Sequence, residues 1–372
     1  MPDDGVAVTG APVAPIVATV PSRRIGRINL EIRQHTPGWH QALIVAACLL
    51  VGLAISAGIL MWAGVDGSDI VNEFIVETLF DPTSLRSVLF QAAPLIFVGL
   101  SAVVAFRVRF WNLGIEGQMI WGSIGATFVS VFQIGPAATR LPLMMIFAAL
   151  GGMMWILIPT FLKLRLRVNE IISTLLLNYV ALDFLLHLLY GAWQDPKDGF
   201  PHSPLFRSFE RLPDFAGISG ALALAVLFTA ITAWLVHVTR FGFYTKFVDA
   251  NPRMALAVGV PIGAVTLGSV LVSGTLAALG GFVITAAQEG RLTQSFFEGY
   301  GFSGILIAFL ARNNPIAAMI VAVLVAMLFV AGRSMQVLDQ IPFAMVELIQ
   351  AIIVISIAAS EFFIRHRVHW VR

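Results

Sequence analysis

The sequence is poor in the residues that carry bond chemistry. Its 372 residues include one cysteine, Cys48, so no disulfide can form within the chain, and only 12% of residues are charged. It has no loop ending in Gly-Lys-Ser/Thr, no His-Glu-x-x-His or cysteine cluster, and no Gly-x-Ser-x-Gly turn. These absences exclude a P-loop nucleotide hydrolase, a zinc enzyme of those classes and an α/β-type serine hydrolase.

Long apolar segments make up most of the chain instead. Hydrophobic residues account for 58% of it, and the mean hydropathy is +0.87. About 20 apolar residues in a helix cross roughly 30 Å of hydrocarbon. Eight segments approach or exceed that length: Gln41–Trp62, Gln91–Phe106, Leu141–Leu162, Val168–Tyr190, Gly217–Val238, Pro261–Ala287, Pro315–Gly332 and Ala344–Ile364. With two shorter segments, Gln118–Phe132 and Phe302–Ala311, we predict an all-α integral membrane protein of about ten transmembrane helices, some of them broken or re-entrant.

The chain is expected to form one membrane domain between two tails. Residues 1–40 lack the apolar core of a cleavable signal and are predicted to be a cytoplasmic tail, with an interfacial helix over Ser22–His35. Residues 41–365 form the transmembrane domain, and residues 366–372 form a second cytoplasmic tail. If ten spans alternate from a cytoplasmic start, 16 of the 23 Lys and Arg residues lie on the inner side. This bias predicts that both termini and the loop 240–260 are cytoplasmic.

The loop 240–260 contains signals for a short, well-capped helix. Asn251 is a favourable N-cap, and Pro252 suits the first helical position. Gly259 can take the left-handed conformation that ends a helix. A simple connection between two spans does not require these residues. We therefore predict a helix that another protein binds.

Two segments interrupt the apolar pattern and predict broken helices. The first is Arg107–Gln118, and the second is Glu289–Gly304, which leads into a short apolar piece before Asn314-Pro315. Irregular backbone at membrane depth occurs only where it is buried in protein or lines an aqueous cavity. Paired interruptions of this kind are typical of the substrate path of a transporter.

Polar residues near these interruptions are candidates for a solute path. Asn112, Glu116 and Gln118 offer hydrogen-bonding groups beside exposed backbone. The alternative for Glu116 is neutralisation of Arg107 or Arg109. For Asn178, which shares a helix face with Thr174 and Glu170, a path wall and an interhelical hydrogen bond are both open. Glu170 is expected to pair with Arg165 or Arg167.

Two further patterns have a structural and a functional interpretation. Ser269, Ser273, Ala277 and Gly281 form a ridge of small residues that favours close helix packing. Asp183 and His187 are four residues apart on one predicted helix, where they can form a proton relay or a self-satisfying pair near the outer boundary. The relay would fit an ion-coupled secondary carrier.

Four strings resemble the membrane permeases of bacterial ABC importers for nucleosides and related ribosides, which work with basic membrane protein-type lipoproteins. They are FWNLGIEGQ at residues 110–118, NEIISTLLLNY at 169–179, ANPR at 250–253, and GFSGI at 301–305 with Asn314-Pro315 beyond it. The resemblance spans roughly residues 85–365. Its wider group includes the permeases for ribose and branched-chain amino acids. One departure is the Asp249-Ala250 pair, which adds charge before the Asn-Pro step.

The resemblance implies a ten-helix permease in the bacterial inner membrane, with ATP and magnesium bound by a separate ATPase subunit. It also implies a second, different permease chain and a substrate-binding lipoprotein or periplasmic protein. Beyond membrane lipid, we expect no cofactor, metal or nucleic acid on this chain. The residues expected to line the path are Asn112, Glu116, Gln118, Asn178, Ser273 and Phe302. The residues expected to couple the chain to the ATPase are Asp249, Asn251, Pro252, Arg253, Ala255 and Gly259.

The sequence therefore favours an ATP-driven importer subunit for a nucleoside or related riboside. Another small solute, such as a simple sugar or a flavin, is the first alternative. An ion-coupled carrier that uses Asp183 and His187 is the second.

Overall fold

A computed structural model describes residues 24–25, 28–32, 37–197, 199–215, 218–297, 299–338 and 341–370. Nearly all of them are helical. The α-helices of these ranges are α1 (Gly38–Trp62), α2 (Gly67–Val71), α3 (Thr78–Phe80), α4 (Pro82–Phe106), α5 (Ile115–Val131), α6 (Ala137–Leu166), α7 (Glu170–Leu189), α8 (Gly220–His237), α9 (Arg240–Ala250), α10 (Pro252–Ala257), α11 (Ile262–Val283), α12 (Tyr300–Leu310), α13 (Pro315–Leu338) and α14 (Phe343–Arg365). Turns of π-helix cover Asn72–Glu77 and Ile284–Glu289, and a 3₁₀ turn covers Ser208–Glu210.

Eight helices in the described ranges are long and apolar enough to cross a membrane: α1, α4, α6, α7, α8, α11 with its π-helical extension, α13 and α14. They coincide with the eight longer segments predicted from the sequence, which confirms the all-α membrane class. The two shorter segments form α5, with 17 residues, and α12, with 11 residues. The total of about ten spans stays a prediction.

Helices α4 and α11 are the most buried spans and form the centre of the bundle. α4 packs against α8, α11, α12 and α13, while α11 also packs against α5 and α6. The approach of α5 to α11 depends on glycine. A Cβ at Gly122 would lie 2.5 Å from Ala278 Cα, and one at Gly281 would lie 2.6 Å from Ser123 Oγ. The predicted packing ridge on α11 is confirmed, since Ser269, Ser273, Ala277 and Gly281 are all buried.

Short strands pair residues from near both ends of the chain. Strand β1 (Arg24–Ile25) pairs with β2 (Ile28–Ile32), which pairs antiparallel with β5 (His366–Trp370). The interfacial helix predicted over Ser22–His35 is therefore wrong for the described residues of that range. Residues 366–370 of the predicted C-terminal tail form strand β5 in this pairing. Strands β3 (Asp214–Phe215) and β4 (Ile218–Ser219) form a separate hairpin.

Loops from distant parts of the sequence meet at the two ends of the bundle. At one end, Arg107 donates to the carbonyl of Asn313 at 2.9 Å, and Lys163 donates to the carbonyl of Arg109 at 3.5 Å. At the other end, the Leu212 amide donates to the carbonyl of Ala286 at 3.0 Å. The contacts at the first end join segments that the charge distribution assigned to the cytoplasm. We call this the basic end and the opposite one the outer end.

Candidate functional site

The first predicted interruption is a true break between two helices. α4 ends at Phe106 and α5 begins at Ile115, so residues 107–114 form an irregular segment, which we call the α4–α5 break. Its chain reverses at Arg109, whose φ is 55°, and the Phe110 amide donates to the carbonyl of Ala105 at 3.1 Å. Because Phe110 and Asn112 are fully buried, the remaining polar groups of this backbone need partners from the protein.

Asn112 is the centre of a closed hydrogen-bond network. Its side-chain amide and that of Gln118 donate to each other's oxygens at 3.0 and 2.9 Å. Asn112 Nδ2 also donates to Ser273 Oγ at 3.2 Å, and Asn112 Oδ1 accepts from the Gly114 amide at 3.1 Å. Ser273 Oγ in turn lies 2.9 Å from Ser101 Oγ. The network joins α4, the break, α5 and α11.

Two side chains of α7 hold the break from the opposite side. Thr174 Oγ1 accepts from the Leu113 amide at 3.2 Å. Asn178 Nδ2 donates to the carbonyl of Leu113 at 2.9 Å, and Asn178 Oδ1 accepts from the Gly117 amide at 2.9 Å. For Asn178 the structure therefore favours interhelical hydrogen bonding, one of the two interpretations that the sequence left open.

The six residues predicted to line a path do not lie together on one open surface. Asn112, Gln118 and Ser273 are at most 1% exposed, and Asn178 is 9% exposed. Their polar atoms bond to one another and to backbone, so they do not line an open path in this conformation. Glu116 is half-buried and packs closely against Gly301. A Cβ atom added to Gly301 would lie 2.6 Å from Glu116 Cγ. Phe302 is 56% exposed on α12.

Arginine side chains tie the α4–α5 break to helix α9. Arg109 Nε donates to the carbonyl of Asp249 at 2.9 Å, and its Nη2 donates to that of Ala250 at 3.3 Å. These carbonyls lie in the last turn of α9, where no helical partner is available and a cation is favourable. Arg107 Nε lies 3.5 Å from Thr245 Oγ1 in the same helix. Burial lowers the pKa of Arg107, while the Asp249 carboxylate acts in the opposite direction.

Lys163 fastens the same break to helix α7. Its Nζ forms an ion pair with Glu170 Oε1 at 2.7 Å and lies 4.8 Å from the centroid of the Phe110 ring. The prediction that Glu170 pairs with Arg165 or Arg167 is therefore wrong. The chain reverses direction at the end of α6, because Arg167 takes a left-handed φ of 55°. This reversal brings the start of α7 back beside the last turns of α6. Lys163, one turn earlier, then lies beside the first turn of α7.

The capped helix of the loop 240–260 is present as α10. Asn251 Oδ1 accepts from the amides of Arg253 and Met254 at 3.0 and 3.3 Å, Pro252 occupies the first helical position, and Gly259 has a φ of +79°. The sequence did not predict α9, which precedes it directly. Thr239 is the N-cap of α9, and its side chain accepts from the Gly242 amide.

The exposed surface of α10 differs from the expected one. Ala255 is fully buried, so the expectation that its side chain meets a partner is wrong: it packs toward the rest of the fold. Asp249 and Arg253 are exposed, as expected. Met254, Leu256 and Val258 are each 64% exposed. We call these three exposed apolar side chains, which lie in α10 and directly after it, the α10 patch.

The outer end is stabilised by a buried ion pair that sequence reasoning did not find. Arg140 Nη1 lies 2.9 Å from Glu210 Oε1, and both side chains are at most 7% exposed. Glu210 Oε2 accepts from Ser130 Oγ and from the Arg207 amide, both at 2.8 Å. This network connects α5, α6 and the loop after α7. An arginine near the start of a predicted span was the only signal in the sequence.

An apolar cleft of about 640 Å³ lies between α5, α6 and α7. Trp121 forms one wall, with its ring stacked between Trp155, at a centroid distance of 4.8 Å, and Phe184, at 5.0 Å. In the described part of the chain, no group of three or more His, Cys, Asp or Glu side chains is arranged to hold a metal ion. The described site consists of hydrogen-bonded polar side chains around the α4–α5 break and exposed apolar side chains at α10.

Comparison with known proteins gives a consistent result. A family model described as "Branched-chain amino acid transport system / permease component" matches residues 84–358. The glucose ABC transporter permease protein TsgB13 of Haloferax volcanii is 35% identical, over 92% of this chain and 93% of its own length. The guanosine ABC transporter permease protein NupP of Bacillus subtilis is 30% identical, over 86% and 93%. The nucleoside ABC transporter permease protein NupB of Lactococcus lactis is 27% identical, over 86% and 91%.

These matches confirm the resemblance that the four strings indicated. The family match covers the region from the start of α4 into α14, which includes the α4–α5 break, the hydrogen-bond network around Asn112 and the α10 patch. The fold is that of a multi-pass membrane protein, and its relatives are permease subunits of ABC transporters. The chain belongs to the family of branched-chain amino acid transport system permease components.

Proposed function

We propose that this chain is the membrane subunit of an ATP-driven importer that moves nucleosides or related ribosides across the bacterial inner membrane. The relatives named for guanosine and for nucleosides support this solute class. The relative named for glucose supports a simple sugar as the alternative solute. Both classes are polyhydroxylated. As the resemblance implies, a second permease chain and a substrate-binding lipoprotein or periplasmic protein complete the assembly.

The observation that carries the coupling part of the proposal is the α10 patch. Apolar side chains that protrude from a short, firmly capped helix are typical of a protein docking surface. Basic residues are concentrated at this end, and the positive-inside rule supports a cytoplasmic location for it and for both termini. We assign the α10 patch, with exposed Asp249 and Arg253, to contact with a separate ATPase subunit, where ATP and magnesium bind.

The contacts of Arg109 supply a route from that surface into the membrane. The Arg109 guanidinium donates two hydrogen bonds to carbonyl groups of α9. A displacement of α9 therefore shifts Arg109 and the α4–α5 break with it. The break is bonded to α7 through Asn178 and Thr174. Movement of α9 is therefore transmitted to α7 through the hydrogen bonds of the α4–α5 break.

Co-purification tests the coupling assignment. The tagged chain, expressed with its neighbouring genes and purified from membranes, is expected to retain an ATPase subunit and vanadate-sensitive hydrolysis of Mg-ATP. Leu256→Asp is expected to remove both, because it introduces a charge into the α10 patch. Leu205→Asp is the matched control, since Leu205 is 57% exposed at the outer end. Retention of the ATPase by Leu256→Asp, or its absence from the wild-type preparation, would contradict the assignment.

The ion-coupled carrier is the less favoured function. The relatives are ABC transporter permeases, which use a different energy source. Asp183 and His187, the residues suggested for a proton relay, are both exposed on α7 rather than enclosed within the described fold.

A further inference from the structure

Helix α7 presents a carboxylate, that of Asp183, on its outward face in the outer half of the helix. Asn178, Ala181 and Leu185 are buried against the rest of the fold. At 3.6 residues per turn, Asp183 projects in the opposite direction. Tyr179 and His187, one turn to either side, are exposed on the same face, and Tyr179 is 62% exposed. Leu176, which is 58% exposed, lies one turn before Tyr179 on the same side of the helix. We call Tyr179, Asp183 and His187 the α7 polar face.

The α7 polar face lies within a membrane-spanning segment. At a rise of 1.5 Å per residue, Asp183 is about 9 Å inside the helix end at Leu189. Among the described side chains of the eight candidate spans, no other Asp, Glu, Lys or Arg lies so far from a helix end. A charged residue costs roughly 2.5–3.5 kcal/mol at the centre of a membrane helix on insertion scales, and less toward a helix end, so Asp183 carries a part of this cost if it faces acyl chains. The α7 polar face is therefore expected to adjoin water or polar groups rather than acyl chains.

Four other polar residues predicted to line a path are already hydrogen-bonded within the protein. Asn112, Gln118 and Ser273 bond to one another, and Asn178 bonds to backbone. Asp183, in contrast, points away from these networks. A carboxylate accepts hydrogen bonds from neighbouring hydroxyl groups, and a tyrosine ring offers an apolar face for a sugar ring or a base. This combination matches a polyhydroxylated solute.

We propose that Asp183, together with Tyr179 and His187, binds the hydroxyl groups of a riboside or hexose as it moves along the outward face of α7. The assignment rests on the proposed function and adds a solute-contacting surface to it. In this arrangement the Asn112 network holds α7 in position, and the α7 polar face meets the solute. Apolar burial of the same face against a second permease chain is the outcome that would overturn the assignment.

Cysteine accessibility tests the assignment directly, because the chain has one native cysteine. In a Cys48→Ala background, Tyr179→Cys, Asp183→Cys and His187→Cys are treated with a charged, membrane-impermeant methanethiosulfonate in vesicles of both orientations. Lys197→Cys in an outer loop is the positive control, and Leu50→Cys, 66% exposed on α1, is the lipid-facing control.

We expect labelling at the three α7 positions and not at Leu50. Guanosine or glucose, at ten times its half-saturating concentration for uptake, is expected to slow that labelling about tenfold by mass action. Absence of labelling at all three positions would overturn the assignment. Labelling that neither solute slows, in cells that transport one of them, would do the same. If cells with the wild-type chain take up neither solute, the proposed function fails and the assignment fails with it.

Uptake kinetics give a second measurement. Asp183→Asn is expected to raise the half-saturating solute concentration about 10-fold to 100-fold, as expected for loss of a charged hydrogen-bond acceptor. Asp183→Glu is expected to recover part of the affinity. Asp195→Asn in the outer loop is the matched control and leaves uptake unchanged. Unaltered uptake by Asp183→Asn at wild-type abundance would contradict a role in solute binding.

Discussion

Removal of the Asn112 side chain is the perturbation that best separates a structural role from a solute-binding role. Asn112 is fully buried and takes part in four hydrogen bonds, two with Gln118, one with Ser273 and one with the Gly114 amide. In Asn112→Ala the Gly114 amide and the Gln118 side chain lose these partners within the interior. We therefore expect a loss of stability rather than a selective loss of solute affinity.

The size of the effect follows from the number of bonds. Hydrogen bonds between membrane helices average about 0.6 kcal/mol, so four of them give roughly 2 kcal/mol. A buried polar group left without a partner costs about 1–3 kcal/mol, so two such groups raise the upper estimate to about 6 kcal/mol. The free energy of unfolding is expected to fall by an amount between these values.

The assay is unfolding of the purified chain in mixed micelles by titration with a denaturing detergent. Asn72→Ala is the matched control, because Asn72 is exposed and its side chain bonds only at the surface, to Glu77. The control is expected to change stability by no more than about 0.5 kcal/mol. Equal stability of the two variants, with a raised half-saturating solute concentration for Asn112→Ala alone, would refute the structural interpretation.

Three further predictions concern other parts of the fold. Glu210→Gln leaves the buried Arg140 guanidinium without its counter-charge. The variant is expected to lower the free energy of unfolding by about 3–5 kcal/mol in the same titration. A loss below about 1 kcal/mol would contradict a buried ion pair. Gly122→Ala brings a methyl group against the backbone of α11 and is expected to cost roughly 1–3 kcal/mol, whereas Gly263→Ala, with open space around it, costs nothing. Arg109→Ala removes two charged hydrogen bonds and is expected to reduce uptake about tenfold or more. ATP hydrolysis by the assembled transporter is expected to continue. A parallel loss of uptake and ATP hydrolysis would argue against a role of Arg109 in coupling.

The features that the sequence predicts well depend on local chemistry. The length of an apolar segment determines whether a helix can span the bilayer, so eight spans were predictable. The cap of α10 was also predictable, because Asn251, Pro252 and Gly259 act within one short segment. Two helix breaks, the α4–α5 break and the interruption between Glu289 and Tyr300, follow from polar and glycine residues within apolar sequence.

Features that depend on packing between distant segments were not predictable. Whether Ala255 faces a partner or the interior is decided by the rotation of α10 about its axis, which its neighbours in the fold set. Arg109 meets the end of α9 only because segments about 140 residues apart come together. Glu170 pairs with Lys163 because of a reversal at Arg167, whereas the sequence offered three basic residues at nearly equal spacing.

The roles of the polar residues in the membrane region were likewise not predictable from the sequence. A buried asparagine that holds helices together and an asparagine that lines a path have the same sequence signature, since both are polar groups in an apolar segment. The structure shows their burial: Asn112 and Gln118 are enclosed, whereas Asp183, which we propose to contact the solute, is exposed. Only the helix orientation in the assembled bundle supplies this distinction.

Solute uptake in the native host tests the proposed function most directly. A strain that lacks this gene and the same strain with the gene restored are given radiolabelled guanosine, and in parallel glucose, with and without a proton uncoupler at maintained ATP. We predict saturable accumulation of guanosine that the deletion abolishes, that the restored gene recovers, and that continues in the uncoupler until ATP is depleted. Accumulation that stops with the uncoupler while ATP remains high would contradict an ATP-driven importer, and uptake unaffected by the deletion for both solutes would contradict the proposed solute class.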